Sequence, residues 1–260
     1  MPIISNGLPD ANLSACHVGV VFAMPLEAEP FERRLTGLIA IQSGKFAARQ
    51  GGLNGKSVVV VRSGVDREQS AAATDSLILG HRPRWIVSAG LAGGLHADLK
   101  RNDIVMPNAI LGDRGQRLSI DLQISSQSQA GDARARGFHV GPLLTIDRVA
   151  FKSDQKRELA KTTGAIAVDM ETLAVAEVCH REQQRFLAVR AICDSIDDEL
   201  PTDVERLVRK KTWARRIGAA AGTILRRPST VKDLWRLREA AIVASQHLAK
   251  FLEGVIEQLD

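Results

Sequence analysis

Residues 165–194 read AIAVDMETLAVAEVCHREQQRFLAVRAICD, and this stretch decides the fold class. Ala165–Val168 is a short apolar strand that runs straight into a helix, Met170–Arg181, and Phe186–Cys193 is a second apolar strand. A strand apolar at nearly every position suits a sheet covered on both faces, as parallel sheets are. Strand, helix and strand in succession therefore predict an α/β layer architecture.

The same alternation extends outward. His17–Met24 (HVGVVFAM) reads as a buried strand, with Pro25 placed for the first turn of a helix that carries Glu27 and Glu29. Phe46–Gly51 and Ser57–Arg62 are strands joined by the turn Leu53-Asn54-Gly55-Lys56. Asp66–Leu79 is a helix with Asp66 as its cap. Trp85–Ala89 is a strand that ends in Gly90-Leu91-Ala92-Gly93-Gly94. Asp103–Leu111 and Val140–Ile146 are strands on either side of a polar loop or hairpin, Gly112–Gly137, and Ser153–Lys161 is a helix with Ser153 as candidate cap. After polar Asp194–Asp203 come two closing helices, Val204–Leu225 and Val231–Leu259. The expected fold is one three-layer α/β domain, a central mixed, mostly parallel sheet flanked by helices. It would span residues 16–225, with 1–15 as a flexible lead-in and 226–260 as a C-terminal helical extension.

At 260 residues the chain can bury a large core without a disulfide or a metal. Its 25% charged and 45% apolar residues are ordinary for a globular protein. The cysteines Cys16, Cys179 and Cys193 form no CxxC pair, which argues against a zinc site and favours a reducing, cytoplasmic setting. No basic start precedes an apolar segment, and no apolar run approaches the roughly 20 residues that span a bilayer. Net charge is +5, but eleven Lys or Arg lie between Arg206 and Arg238 against the single acid Asp233. These basic residues, interleaved with Trp213, Ile217, Leu225, Leu234, Trp235 and Leu237, form either a solvated helix face or a weak membrane-surface contact. The rest of the chain is net acidic, and no nucleic-acid partner is expected.

In a parallel α/β sheet, ligands bind beyond the carboxyl ends of the strands. Four strand ends qualify: Met24–Glu27, Gly90–Gly94, Asp169-Met170-Glu171, and Asp194. The glycines at 90, 93 and 94 permit close approach of backbone to a ligand but do not spell GxGxxG, so a dinucleotide cofactor is not indicated. Asp169 reads equally as a helix cap, and Glu171, placed in the first turn, also suits the helix dipole.

Taken together, VVFAMPLE (20–27), SAGLAGGL (88–95), IAVDMETLAVAEVCH (166–180) and VRAICD (189–194) resemble the purine nucleoside phosphorylase/nucleosidase superfamily. The likeness is strongest to the 5'-methylthioadenosine/S-adenosylhomocysteine nucleosidases and their hopanoid-associated relatives. It covers about residues 18–197, and the RRP-containing tail looks like the ends of the hopanoid-associated members. The resemblance implies an enzyme that hydrolyses the N-glycosidic bond of a purine ribonucleoside, with 5'-methylthioadenosine or S-adenosylhomocysteine as first substrates. Phosphorolysis, or cleavage of an adenosyl-lipid, is the alternative.

Carried over by position, Glu27 would be the base on the attacking water and Asp194 would serve purine N7. Met170 would pack on the ribose, Glu171 would hold its hydroxyls, and Met24, Gly90, Leu91, Ala92 and Asp169 would complete the substrate site. The base would stack near Val149 or Phe151. No metal or organic cofactor is implied, and family likeness suggests a homo-oligomer, a dimer or larger ring. Burial would raise the pKa of Asp194, and solvation would keep Glu27 charged. Phosphorylases of this kind place an Arg and a Ser or Thr around the glycine-rich turn, where this chain has Ser88 and Leu91. That departure favours water over phosphate, although Arg62, Ser63 and Arg67 are available for an anion site.

Overall fold

The computed structural model describes residues 16–121, 137–148, 152–199 and 228–260, with 228–235 described as backbone alone. In chain order the elements are β1 (Val18–Phe22), α1 (Pro25–Glu32), β2 (Thr36–Ser43), β3 (Phe46–Leu53), β4 (Lys56–Arg62), α2 (Arg67–His81), β5 (Trp85–Gly94), β6 (Ile104–Gly112), β7 (Arg117–Ser119), β8 (Phe138–Thr145), α3 (Ser153–Thr163), β9 (Ala167–Asp169), α4 (Thr172–Arg181), β10 (Arg185–Asp194) and α5 (Pro228–Gln258). They build the expected α/β domain around one mixed sheet of ten strands.

The heart of the sheet is parallel, running β4–β1–β5–β10. Strands β6, β8 and β9 form a second parallel group. Antiparallel pairs join the two groups at both ends, β10 to β6 and β9 to β5, so that five strands close into a ring. An antiparallel ribbon, β2–β3–β4, extends the other edge. Because β1, β4, β5 and β10 are mutually parallel, their carboxyl ends open on the same side, and the candidate residues gather there.

The valine runs explain the centre: every residue of β1 is buried, as is VVVV of β4. Gly19 in β1 lets α2 lie close, since a Cβ there would stand 2.7 Å from Leu77 Cδ2. The β3–β4 hairpin turns through Asn54 and Gly55 at φ of 48° and 79°, the paired positive angles that a tight hairpin requires. Asp66 caps α2 as expected, accepting the backbone N–H of Glu68 at 2.8 Å.

Several expectations are corrected. Gly90–Gly94 is not a turn after a strand: β5 runs through it, paired with β10 on one side and β9 on the other. Ser153 is the first residue of α3 rather than its cap, a position taken by Lys152 in extended backbone. Glu171 stands before α4, at the cap position, not within its first turn. The edge strand β2, mostly exposed, was not anticipated. Within Gly112–Gly137, β7 forms a hairpin with β6, and residues 122–136 lie outside the described residues. So do the lead-in 1–15 and the expected helix Val204–Leu225.

Helix α5 packs into the same core as α1 and β1. Ala244, Leu248, Leu252 and Ile256, spaced by four, are fully buried against Val20, Phe31 and Val189. The apolar face of its described half therefore meets protein. Its last turn is fastened by Lys56, whose ammonium donates to the carbonyls of Ile256 at 3.1 Å, Glu257 at 3.0 Å and Leu259. Trp85 Nε1 donates to the carbonyl of Asp260 at 3.2 Å. Carbonyls left open by a helix end are thus satisfied by side chains. Among the described residues no helix is long and apolar enough to cross a membrane. Leu252→Ala is expected to destabilise the whole protein by about 2–5 kcal/mol in one unfolding transition. Urea titration checks this, and a separate early transition would show that α5 melts alone.

Candidate functional site

The geometry of the site begins with one buried guanidinium. Arg190, in the middle of β10, is 3% exposed. Nε donates to Asp169 Oδ2 at 2.9 Å, Nη1 to the carbonyls of Ser88 (2.8 Å) and Val189 (2.9 Å), and Nη2 to Ser88 Oγ (2.7 Å) and to Thr172 Oγ1. A guanidinium has five N–H donors, and these five bonds use them all. Asp169 is equally committed: Thr145 Oγ1 donates to Oδ1 at 2.7 Å, and Thr172 donates to Oδ2 through N at 3.2 Å and through its hydroxyl. Both oxygens of Asp169 are engaged inside the protein, so this carboxylate holds the frame and does not face a substrate.

Around this frame Glu27, Ser63, Ser88, Gly90, Glu171 and Arg190 line one small pocket. Glu27 reaches it from the first turn of α1 and is 4% exposed. Its carboxylate accepts the backbone N–H of Leu91 at Oε1 and of Met24 at Oε2, each at 2.9 Å. Gly90 makes room for it, because a Cβ there would stand 3.0 Å from Glu27 Oε1. Burial pushes the Glu27 carboxyl up from the usual range, opposed by the amides of Leu91 and Met24 and by the Arg190 charge. The expectation that solvent keeps Glu27 charged is therefore corrected: protein amides and a guanidinium replace water around it.

Glu171 sits at the turn between β9 and α4, beside the half-buried Met170. Burial first, then the charges of Asp169 and Glu27, raise its carboxyl from the usual 4.5 to about 8, against the pull of Arg190. A group with that titration is mostly protonated at neutral pH and can both donate and accept a hydrogen bond.

Asp194, the last residue of β10, is turned by a break in register that sets it opposite Gly93. Bulges of this sort re-aim a side chain. A Cβ on Gly93 would stand 3.3 Å from Asp194 Oδ2, so glycine is what lets the carboxylate lie over β5. Its Oδ1 accepts the Cys193 thiol at 2.9 Å, and Oδ2 forms an ion pair with Lys156. In place of the apolar burial expected for Asp194, the structure sets it against a cation.

Ala92 points away from the pocket into the core, with Leu99, Val105 and Ile192. Val149 and Phe151 lie outside the described residues. The candidate anion ligands are largely occupied. Arg62 pairs with Glu32, its Nε donating at 3.0 Å, and Arg67 Nη1 pairs with Asp147 at 3.2 Å, while its buried Nη2 has no hydrogen-bond partner among the described residues. The Ser63 hydroxyl donates to the Gly64 carbonyl at 2.9 Å. Among the described residues no group of His, Cys, Asp and Glu is arranged to hold a metal ion.

Two residues of the site, Arg190 and Lys156, receive no role from the sequence reading, although Arg190 lies within VRAICD. Arg190 was detectable as a charge inside an apolar strand, a place where arginine is almost never found unpaired. Lys156 shares the helix face of Leu159 and Ala160, three and four residues on, which is the inward face of α3.

Comparison with known proteins identifies the chain's relatives and its fold. The 5'-methylthioadenosine/S-adenosylhomocysteine nucleosidase of Actinobacillus succinogenes is 27% identical over 226 residues, covering 74% of this chain and 91% of its own length. The fold matches S-adenosylhomocysteine nucleosidase from Streptococcus pyogenes, solved with 5-methylthiotubericidin, at a TM-score of 0.71 and 17% identity, covering 96% of this chain and 99% of that one. It also matches futalosine hydrolase of Helicobacter pylori at a TM-score of 0.69 and 19% identity, covering 94% and 99%. A family model described as the phosphorylase superfamily matches residues 17–226, and the chain belongs to that superfamily.

Proposed function

We propose that this protein hydrolyses the N-glycosidic bond of a purine ribonucleoside, with 5'-methylthioadenosine or S-adenosylhomocysteine as the first substrates. One observation carries the choice of water over phosphate. The amide of Leu91, in the glycine-rich stretch, already binds a carboxylate, that of Glu27. A phosphate dianion at that amide would meet the Glu27 charge, and the nearby Arg62 and Arg67 are paired with acids.

The reaction follows from what each group can supply. When the bond from C1' to the base breaks, its electron pair stays on the base and positive charge builds on the sugar. Water attacks C1' and gives its proton to Glu27. A carboxylate has about four acceptor positions, and the two backbone amides leave the others open to water. Burial makes Glu27 a stronger base than a solvated glutamate, which suits proton abstraction near neutral pH. Glu171, at the ribose, meets the hydroxyl groups, and Met170 lies on the sugar face. Asp194 serves N7, relieving the charge that accumulates on the departing base. A positioned proton donor or acceptor contributes about 10²–10⁴-fold in rate.

Chromatography of the products from 5'-methylthioadenosine, with and without phosphate, tests the assignment. The expected products are adenine and free 5-methylthioribose at a rate independent of phosphate. A 1-phosphate ester as the main product would show a phosphorylase instead.

Glu171 generates a second test, on stability. Its folded-state value of about 8 lies above the usual 4.5, so between these values the native protein binds a proton that the unfolded chain has released. Stability from this group is fully present below about 4.5 and declines as pH rises toward 8. The ligand-free melting temperature should therefore fall between pH 5 and pH 9, and Glu171→Gln should flatten that slope. An unchanged slope in the variant would assign the proton to another group.

A further inference from the structure

Lys156 is a fully buried cation to which the reaction above gives no part. It is 0% exposed, and its ammonium donates to Asp194 Oδ2, to the carbonyl of Ser195 at 2.7 Å and to that of Asp198 at 3.0 Å. Three acceptors match the three N–H groups of an ammonium. A buried charge persists only when paired and hydrogen-bonded in this way. The loop after β10 is fastened around it: Arg101 pairs with Asp198 at 2.9 Å, Asp198 accepts the Ser195 amide at 2.7 Å, and Arg157 pairs with Asp197.

Two side chains bring an acidic hydrogen to Asp194 among the described residues, Lys156 at Oδ2 and Cys193 at Oδ1. Burial, and then the neighbouring Asp194 charge, push the Cys193 thiol well above its usual value, so it keeps its proton. The thiol also has a second acceptor, the Ala92 carbonyl at 3.4 Å, which allows Oδ1 to be released to a ligand.

We propose that Lys156 is the positioning residue that supplies, through Asp194, the proton taken up by purine N7. This rests on the nucleosidase reading above. As the electron pair of the glycosidic bond moves onto the base, an N–H bond of Lys156 breaks as its proton moves to Asp194 Oδ2, and the O–H bond formed there breaks in turn as the same proton passes to N7. The net change is one N–H lost from Lys156 and one N–H gained at N7, with Asp194 unchanged. The amine left behind keeps two N–H groups for the Ser195 and Asp198 carbonyls. Once the products leave, solvent returns the proton that water gave to Glu27. In this ion pair the ammonium carries the transferable protons and the carboxylate carries none, so lysine is the reservoir. The charged and titratable groups around it are Asp194 and Cys193 on β10, Asp198 with Arg101, and the Arg157–Asp197 pair at the surface.

The test compares a purine nucleoside with a riboside whose leaving group is p-nitrophenolate, which has no N7 to protonate. Lys156→Met and Lys156→Arg should each lower kcat on the purine substrate by at least about 100-fold, with little change in KM. Both should still release p-nitrophenolate at the unaltered rate. Arginine keeps the charge but cannot give up its proton, so restored purine turnover in Lys156→Arg would overturn the proposal. A parallel loss on both substrates would overturn it too, by making Lys156 structural, as would normal purine turnover in Lys156→Met. If neither variant folds, the unaltered protein decides: the ratio of purine to p-nitrophenolate turnover should fall as alkali removes the lysine proton, and a ratio that stays flat until the protein unfolds refutes the relay. Purine release by the unaltered protein reports separately on the nucleosidase reading, and its absence would sink both.

Discussion

The arrangement of the site depends on burying the guanidinium of Arg190. Taking a charge out of water costs several kcal/mol unless each donor finds a partner, and here Asp169, Ser88, Val189 and Thr172 take all five. Those partners lie on β9, β5, β10 and α4, so one side chain ties four elements together. The Thr145 hydroxyl extends the network by accepting the backbone N–H of Leu173 at 3.1 Å. Once this frame is satisfied, Met170 and Glu171 have little freedom at the turn that enters α4.

The same cation organises the electrostatics of the pocket. The charges of Asp169 and Glu27 add to burial in raising the proton affinity of Glu171, and Arg190 opposes the rise at both glutamates. The two candidate carboxylates, Glu27 in the pocket lining and Asp194 outside it, are held differently. Glu27 is held by backbone amides in a desolvated setting that strengthens it as a base. Asp194 is held by an ammonium and a thiol. Glycines at 90 and 93 provide the space for both carboxylates.

Much of this was legible in the chain. The central strands are continuous apolar runs, and each candidate carboxylate follows such a run directly, so Glu27, Glu171 and Asp194 could be found locally. What escaped was set by long-range contact. The antiparallel pairing of β10 with β6, and of β9 with β5, depends on residues far apart in sequence. Lys156 lies among Lys152, Arg157 and Lys161, where a solvated face is the ordinary reading, and only its register with Leu159 marks it as inward. The surroundings of Glu27 and Asp194 were expected the wrong way round, because burial at Glu27 comes from β5 closing over α1 and the cation at Asp194 comes from a separate helix. Asp169, read as a cap or a substrate contact, accepts the Thr172 amide at the start of α4, where Glu171 holds the cap position, and its charge is paired with Arg190.

Glu27→Gln probes the proposed activation of water. The carboxamide nearly preserves shape and keeps an acceptor oxygen for one of the two amides, but it cannot take a proton. Calorimetric binding of 5'-methylthioadenosine, alongside single-turnover adenine release, separates grip from chemistry. If Glu27 is the base, binding survives while release slows by at least about 100-fold. Release at an unaltered rate, or loss of binding and release together, would contradict it.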